Sequence, residues 1–266
     1  MVVYSESVDR LFKRYGSSYR WFLTFTVMTG AIAMGFASSM VNVAVPSVMG
    51  AFGVGFDQAQ WMATGFLASM SATMVLSSWL IEVLGQRITF IVALSVFSIG
   101  CFISATAPNI DIMILGRVMQ GAATGIGQPL AMFSIFGVFP PERRGMALGI
   151  YGLVSVLAPT IGPILGGIAI DTMSWRYLFF MPLPLCLPAF MLGLIFMPGK
   201  KLAKKLPPFD WIGMVLVCFI LFSTLSGLAN GPRWFRYNRA SPTGRCGCIS
   251  CIHLMGTARV LSIARS

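Results

Sequence analysis

One arginine stands inside an otherwise uncharged apolar run, in the stretch ILGRVMQGAATGIGQP that begins at Ile114. Gln120 follows Arg117 by three residues, so the two side chains share one face if the stretch is helical. A guanidinium within a membrane is costly, which makes an intramembrane arginine a candidate for a functional site. Two interpretations stay open. Arg117, with Gln120 beside it, belongs to a functional site, or Arg117 is structural and reaches backbone carbonyls or the membrane surface.

A second candidate stretch, GLVSVLAPTIGPILGG from Gly152 to Gly167, combines glycines with two prolines and carries no charge. Small residues recur there at helical spacing, which favours close helix packing in lipid. The predicted stripe is Gly145, Gly149, Gly152, Ser155, Ala158, Gly162, Gly166 and Ala169. Pro159 and Pro163 each remove an intrahelical hydrogen bond and favour a bend. The stripe by itself predicts packing and not transport.

Two further groups of residues could do chemistry. In SWLIEVLGQRITF, Glu82, Gly85 and Arg87 lie at a tight turn, where the opposite charges could cap helix ends or pair with neighbouring helices. Near the end of the chain, four residues could ligate zinc, namely Cys246, Cys248, Cys251 and His253. Their spacing is cramped for a zinc site. A disordered extension or a change of reading frame explains the segment as well, and the frame change is the explanation that we favour.

The elements that must position these residues follow from composition. The chain of 266 residues is 56% hydrophobic and 10% charged, whereas soluble domains carry about 25% charged residues. Such a chain uses lipid as solvent. Its net charge of +11 does not indicate nucleic-acid binding, because the bases lie in short loops between apolar runs. The apolar run after Arg20 is too long for a secretory signal and predicts an uncleaved first span.

Seven membrane spans are predicted, at 21–43, 60–83, 88–107, 112–136, 146–170, 177–197 and 212–228. The predicted organisation is a cytoplasmic segment (1–20), a six-helix transmembrane bundle (21–197), a cytoplasmic basic loop (198–211), a seventh transmembrane helix (212–230) and an irregular tail rich in arginine and cysteine (231–266). The fold class is therefore an all-α polytopic membrane protein.

The loops predict the orientation through the distribution of their basic residues. With the N-terminus inside, eleven basic residues fall on the cytoplasmic side and Arg176 alone falls outside. The eleven are Arg10, Lys13, Arg14, Arg20, Arg87, Arg143, Arg144, Lys200, Lys201, Lys204 and Lys205. The six arginines from Arg233 onward, without lysine or acidic residues, run against this rule if seven spans precede them.

Several of these stretches, in this order, resemble the major facilitator superfamily, and within it the drug:proton antiporters with fourteen helices. APTIGPILGG is similar to the antiporter motif of the fifth helix through Gly162, Pro163, Gly166 and Gly167, and RVMQG matches the fourth-helix motif. VNVAVP, SWRYLFF and FDWIGM resemble the end of the first helix and the entries of the sixth and seventh. The resemblance covers the chain from about Trp21 to Trp234.

The resemblance implies a multidrug exporter of the cytoplasmic (inner) membrane, of which this chain is the N-terminal portion. It would export small lipophilic or cationic compounds by alternating access, coupled to protons when intact, with a periplasmic adaptor and an outer-membrane channel as partners. The implied roles are a cavity at Arg117 and Gln120, a gate at Pro159, Gly162, Pro163, Gly166 and Gly167, and a cytoplasmic latch at Glu82, Gly85 and Arg87.

Two motifs depart from the resembling family. The loop motif has Ser78, Glu82 and Gln86 where glycine, aspartate and a basic residue are usual. The first helix has Ala37 and Ser38 where an acidic residue is usual. Proton coupling needs a group that titrates within the membrane, and arginine stays charged. Two other functions therefore stay open: a truncated fragment that transports nothing, and a membrane scaffold whose cysteine tail senses metal or redox state. No span holds a nucleophile–base pair or a phosphate loop, so we expect neither an enzyme nor a cofactor.

Overall fold

A computed structural model describes residues 5–199, together with Gly213, Leu216 and Ile220. Within these residues every regular element is helical. The helices are α1 (Ser5–Tyr15), a 3-10 turn (Gly16–Ser18), α2 (Tyr19–Phe52), α3 (Phe56–Leu84), α4 (Gln86–Thr106), α5 (Ile110–Val138), α6 (Pro141–Thr172), α7 (Tyr177–Phe180) and α8 (Leu183–Phe196). Six helical segments are long and apolar enough to cross a membrane. The predicted all-α bundle of six spans is confirmed; the predicted seventh span and the tail lie outside the described residues, apart from three helical positions.

The N-terminal segment contains a helix that the sequence analysis did not predict. Along α1, Val8, Leu11, Phe12 and Tyr15 pack against the buried core. Their spacing of three and four residues is the signature of an amphipathic helix, so the signal was present in the sequence. Tyr19, at the start of α2, donates a hydrogen bond from its hydroxyl to the Phe196 carbonyl at 2.9 Å. This end of the bundle therefore joins the first span to the last one described.

The spans differ from their predicted bounds for physical reasons. The first was predicted to end at Val43, but α2 continues through Pro46 to Phe52 and ends at Gly53, which adopts a left-handed conformation (φ 63°). Its 34 residues exceed the roughly 20 that cross a bilayer, so part of α2 extends beyond the hydrocarbon. The sixth span was predicted as one helix, but it is interrupted between α7 and α8 at Met181 and Pro182, where proline lacks the amide hydrogen that a continuous helix needs.

Short turns reverse the chain between spans. Gly85 is the whole connection between α3 and α4, and its φ of 80° is a conformation that glycine adopts without strain. Asn109 begins α5 by accepting a hydrogen bond from the Ile112 amide at 2.9 Å. Such a side-chain cap satisfies one of the amides that a helix start leaves unpaired. These turns hold consecutive spans antiparallel and bring α5 against both α3 and α4.

The buried residues form two clusters, one toward each end of the bundle. The first surrounds α1, the start of α2 and the end of α8, and includes Leu23, Phe90 and Phe97. The second, around Met40, Met62 and Met113, lies where α2, α3 and α5 meet the α6–α7 region. Arg117 and Gln120 are buried as well, and neither belongs to an apolar cluster.

Candidate functional site

The Arg117 guanidinium lies in the interior of the bundle, with 1% of the residue exposed. Its Nη1 donates to the Ala37 carbonyl of α2 at 3.1 Å, and its Nε donates to the Met62 carbonyl of α3 at 3.5 Å. The Cζ atom lies 4.2 Å from the centre of the Phe66 ring, a cation–π contact. Arginine suits such a place because its guanidinium is weakly hydrated and has donors pointing in several directions.

Gln120 completes the cluster one turn along α5 and is fully buried. Its Oε1 accepts a hydrogen bond from Arg117 Nη1, and its Nε2 donates to Ser104 Oγ of α4 at 3.5 Å. The shared face predicted from the spacing of the two residues is therefore present. Through these bonds Arg117 and Gln120 connect α5 to α2, α3 and α4. In this conformation both side chains are enclosed by protein, so their role in a transport cavity stays a prediction.

Glycines of α4 and α5 make the cluster geometrically feasible. A Cβ at Gly116 would lie 2.3 Å from Ser104 Oγ and 2.8 Å from the Gly100 carbonyl, so neither α5 nor α4 tolerates a side chain at this crossing. A Cβ at Gly100 would lie 3.0 Å from Gln120 Cγ. The absence of these Cβ atoms lets Gln120 approach Ser104, because helix axes come closer across small residues.

The opposite side of α5 packs still more closely against α3. A Cβ at Gly121 would lie 2.2 Å from the Phe66 carbonyl, and one at Gly125 would lie 2.1 Å from the Met70 carbonyl. Thr73 adds a hydrogen bond from its hydroxyl to the Ala122 carbonyl at 2.9 Å. The sequence analysis missed this interface, although Gly121 and Gly125 form a GxxxG pattern that signals it. No sequence signal identifies Phe66 as the ring beneath Arg117.

The predicted stripe of small residues on α6 contacts a neighbouring helix along only half of its length. Its second half packs on α2: a Cβ at Gly162 would lie 2.0 Å from Ser39 Oγ, and one at Gly166 would lie 3.7 Å from Met40 Cγ. In the first half, no described residue comes within 4 Å of a Cβ added at Gly145, Gly149 or Gly152, so across the described residues the prediction of one continuous packing stripe is wrong. The physical reason is that helical spacing gives a shared face, but only a neighbouring helix makes that face a contact.

Some residues of the predicted gate pack against α2, and others are exposed or have open space beside them. Gly162 and Gly166 are buried against α2, whereas Pro163 is exposed and the Cβ position of Gly167 is open. Pro159 lies against α2, its Cδ 3.5 Å from the position of a Cβ on Gly35. Helix α6 is continuous across both prolines. The bending gate therefore stays a prediction.

The predicted latch residues lie at the Gly85 turn. Arg87, in the first turn of α4, donates to the Leu194 carbonyl in the last turn of α8. A cation at a helix C-terminus is favoured by the helix dipole. Glu82 is exposed in the last turn of α3. The turn thus connects the start of α4 to the end of α8, and its role as a latch is not tested by this geometry.

Titratable and metal-binding groups are sparse in the described spans. The acidic residues of α3, α5 and α6 lie in the first or last turns, at Asp57, Glu82, Asp111, Glu142 and Asp171. Among the described residues no group of three histidines, cysteines or acids could hold a metal. The weak zinc candidates Cys246, Cys248, Cys251 and His253 lie outside the described residues.

Comparison with curated proteins gives relatives among bacterial transporters. The chain is 33% identical over 207 residues to the uncharacterized MFS-type transporter YhcA of Bacillus subtilis, a match that covers 78% of this chain and 39% of the relative. It is 31% identical to the multidrug export protein EmrB of Haemophilus influenzae, with 68% and 35% covered. It is 30% identical to the lincomycin resistance protein LmrB of Listeria monocytogenes, with 71% and 40% covered. The matches thus span 35–40% of the length of these three relatives.

Solved structures show the same fold at low sequence identity. A peptide transporter POT in complex with sulfate superposes with a TM-score of 0.60 at 14% identity, covering 92% of this chain and 50% of that one. A D-xylose-proton symporter superposes with a TM-score of 0.57 at 16% identity, covering 79% and 53%. The family described as Major Facilitator Superfamily matches residues 27–234. The named relatives are transporters and not enzymes, and the six apolar helices indicate a multi-pass membrane protein. The chain belongs to the Major Facilitator Superfamily.

Proposed function

We propose that the chain forms the N-terminal helix bundle of a multidrug-type exporter that moves lipophilic or cationic compounds out of the cell by alternating access. The relatives named for multidrug export and lincomycin resistance support this substrate class. The observation that carries the proposal is the buried Arg117 cluster. The charge is held by neutral partners on α2 and α3, and Gln120 links it to α4, so any movement of these helices affects the same four-helix junction.

The Arg117 cluster favours a role beyond packing because its charge has no acidic partner among the described residues. Its partners among the described residues are two carbonyls, one amide and one aromatic ring. Burying a charge costs several kcal/mol, and apolar residues of similar volume often stabilise a core as well or better. A charge kept there at such a cost is a functional candidate. In the proposed cycle, Arg117 and Gln120 become accessible to substrate when the helices around them move.

Proton coupling forms part of the proposal with one restriction. The acidic residues of α3, α5 and α6 lie at helix ends, and the Ala37 position contributes only its carbonyl to Arg117. A coupling carboxylate would therefore come from outside the described spans. The inner membrane, an inside N-terminus, and a periplasmic adaptor with an outer-membrane channel are likewise proposals that rest on the resemblance.

Efflux from an efflux-deficient bacterium tests the proposal. The 266-residue chain is expressed alone and as a chimera in which the remainder of the EmrB relative follows Trp234, the last residue matched by the family. We expect energy-dependent ethidium efflux from the chimera, abolished by an uncoupler, and none from the chain alone. The intact relative is the positive control.

A matched pair of variants connects efflux to the site. Arg117→Gln removes the buried charge and should abolish efflux by the chimera, whereas Val156→Leu changes an exposed α6 position (67% exposed) and should not. A chimera that inserts at normal levels and exports nothing, while the intact relative exports ethidium, contradicts the exporter proposal. Full efflux with Arg117→Gln contradicts the role of the cluster. Efflux by the chain alone contradicts the expectation that this bundle needs a second one.

A further inference from the structure

A basic cavity of about 210 Å³ lies at the end of the bundle that carries the N-terminus, apart from the Arg117 cluster. One wall is the 3-10 turn and the first residues of α2, with Ser17, Ser18 and Arg20. The other wall is the α5–α6 connection and the first turn of α6, with Phe139 and Arg143. Two guanidinium groups from separate elements therefore meet two hydroxyls, and no acidic residue is among the described residues that line this space.

The two arginines have unused hydrogen-bonding capacity. The Nε of Arg20 is buried and has no hydrogen-bond partner within the described part of the chain, and its guanidinium lies 5.3 Å from the centre of the Phe12 ring. A buried donor without an acceptor is costly, so an anion that supplied one after a small side-chain movement would relieve that cost. Arg143 is exposed, and its guanidinium has no hydrogen-bond partner among the described residues.

The next residue along α6, Arg144, differs from Arg143 because its guanidinium has partners within the protein. Arg144 donates from Nε to the Phe139 carbonyl at 3.1 Å and lies 5.6 Å from the centre of the Phe136 ring. Arg144 therefore holds the wall of the cavity in position, while Arg143 is left to face a ligand. Guanidinium groups bind phosphate oxygens in bidentate fashion, and serine hydroxyls can donate to the same group.

The rim of the cavity is apolar and exposed. Trp21 is 48% exposed and Met146 is 52% exposed, and both line the cavity beside the charged residues. The Trp21 ring packs edge-on against Phe139, with 5.9 Å between ring centres. A tryptophan in this position is typical of the level of lipid headgroups. The volume is below the 300–1,000 Å³ of pockets that enclose drug-sized ligands, so a headgroup fits this site better than a transported drug.

We propose that this cavity binds the phosphate of an anionic phospholipid, held between Arg20 and Arg143, with the apolar part of the lipid against Trp21 and Met146. The lipid would occupy the groove between the starts of α2 and α6, two helices that also pack on each other along the bundle. Basic pockets between membrane helices bind anionic headgroups by this chemistry. This inference stands independently of the proposed exporter function.

Native mass spectrometry of the purified full chain tests the site. Detergent micelles are doped with phosphatidylglycerol or with phosphatidylcholine, and bound lipids are counted. We expect one retained phosphatidylglycerol and no comparable retention of phosphatidylcholine. Arg143→Gln and Arg20→Gln should each lower retention about fivefold. The matched control is Lys13→Gln, which removes an exposed charge from α1, close in sequence to the cavity but not lining it.

Three results would overturn the proposal. If Lys13→Gln lowered phosphatidylglycerol retention as much as Arg143→Gln, the lipid would be attracted by diffuse positive charge and not held at a defined site. Displacement of the lipid by millimolar inorganic phosphate, bound with the same dependence on both arginines, would assign the cavity to a soluble anion. Unchanged phosphatidylglycerol retention in Arg143→Gln would show that Arg143 takes no part in lipid binding. Because Arg143 is exposed in the first turn of α6, its variant should fold, which a normal size-exclusion profile confirms.

Discussion

Substituting Gly125 by alanine tests the claim that backbone contact between α3 and α5 holds the Arg117 cluster in place. The added Cβ would lie 2.1 Å from the Met70 carbonyl oxygen and 2.3 Å from Thr73 Oγ1. Carbon and oxygen need about 3.3 Å, so the two helices must separate locally by about 1.2 Å. The obstacle on α3 includes backbone, which cannot move away by rotating a side chain.

The magnitude follows from three contributions. Overpacking costs about 1–3 kcal/mol. Loss of the hydrogen bond between Thr73 and the Ala122 carbonyl adds about 0.6 kcal/mol, the average for membrane helices. Alanine returns up to about 1 kcal/mol through its higher helix propensity. We expect a net destabilisation of about 1–3 kcal/mol.

Thermal melting of the detergent-solubilised chain, followed by size-exclusion fluorescence, measures this effect. At about 2–4 °C per kcal/mol for a domain of this size, Gly125→Ala should lower the melting temperature by about 2–12 °C. Gly149→Ala is the matched control, because its Cβ position on α6 is open within 4 Å and only the propensity gain remains. Equal melting temperatures for the two variants would refute the argument that α3 and α5 touch through their backbones.

Four further predictions follow from the same structure. Gly162→Leu should lower thermal stability, since its Cβ meets Ser39 on α2, whereas Val156→Leu on the exposed face of α6 should not; equal melting curves would count against the α2–α6 contact. Arg117→Met should lower the free energy of unfolding by less than the roughly 3–5 kcal/mol typical of breaking a buried ion pair, because no opposite charge is left behind among the described residues. Chemical unfolding of the two proteins measures this difference. With native cysteines replaced, Met173→Cys should react with an impermeant maleimide in intact cells and Lys13→Cys only after permeabilisation, and the reverse pattern would invert the orientation. Residues 235–266 should bind substoichiometric zinc and be digested equally with and without a chelator; stoichiometric zinc with chelator-dependent protection would restore the metal site.

Spacing along one helix was a reliable guide to which side chains share a face, and an unreliable guide to what that face touches. The three-residue spacing of Arg117 and Gln120 placed them together, as the structure has them. The same logic applied to α6 extended the packing stripe to Gly149, where none of the described residues comes within 4 Å of an added Cβ. Periodicity is a property of one helix, whereas contact is a property of two.

The sequence by itself determined that this chain is a bundle of membrane helices, because apolar runs of about 20 residues with charges confined to their ends have no other stable solution in lipid. It also placed Arg117 within a span, and it left open whether the side chain faces the interior of the bundle or reaches the membrane surface. Only the tertiary structure decided its partners. The Ala37 and Met62 carbonyls carry no side-chain signal, and they reach Arg117 because α2 and α3 both pack against α5. Likewise, the cavity between Arg20 and Arg143 joins residues 123 positions apart, a proximity that only the packing of α6 against α2 creates.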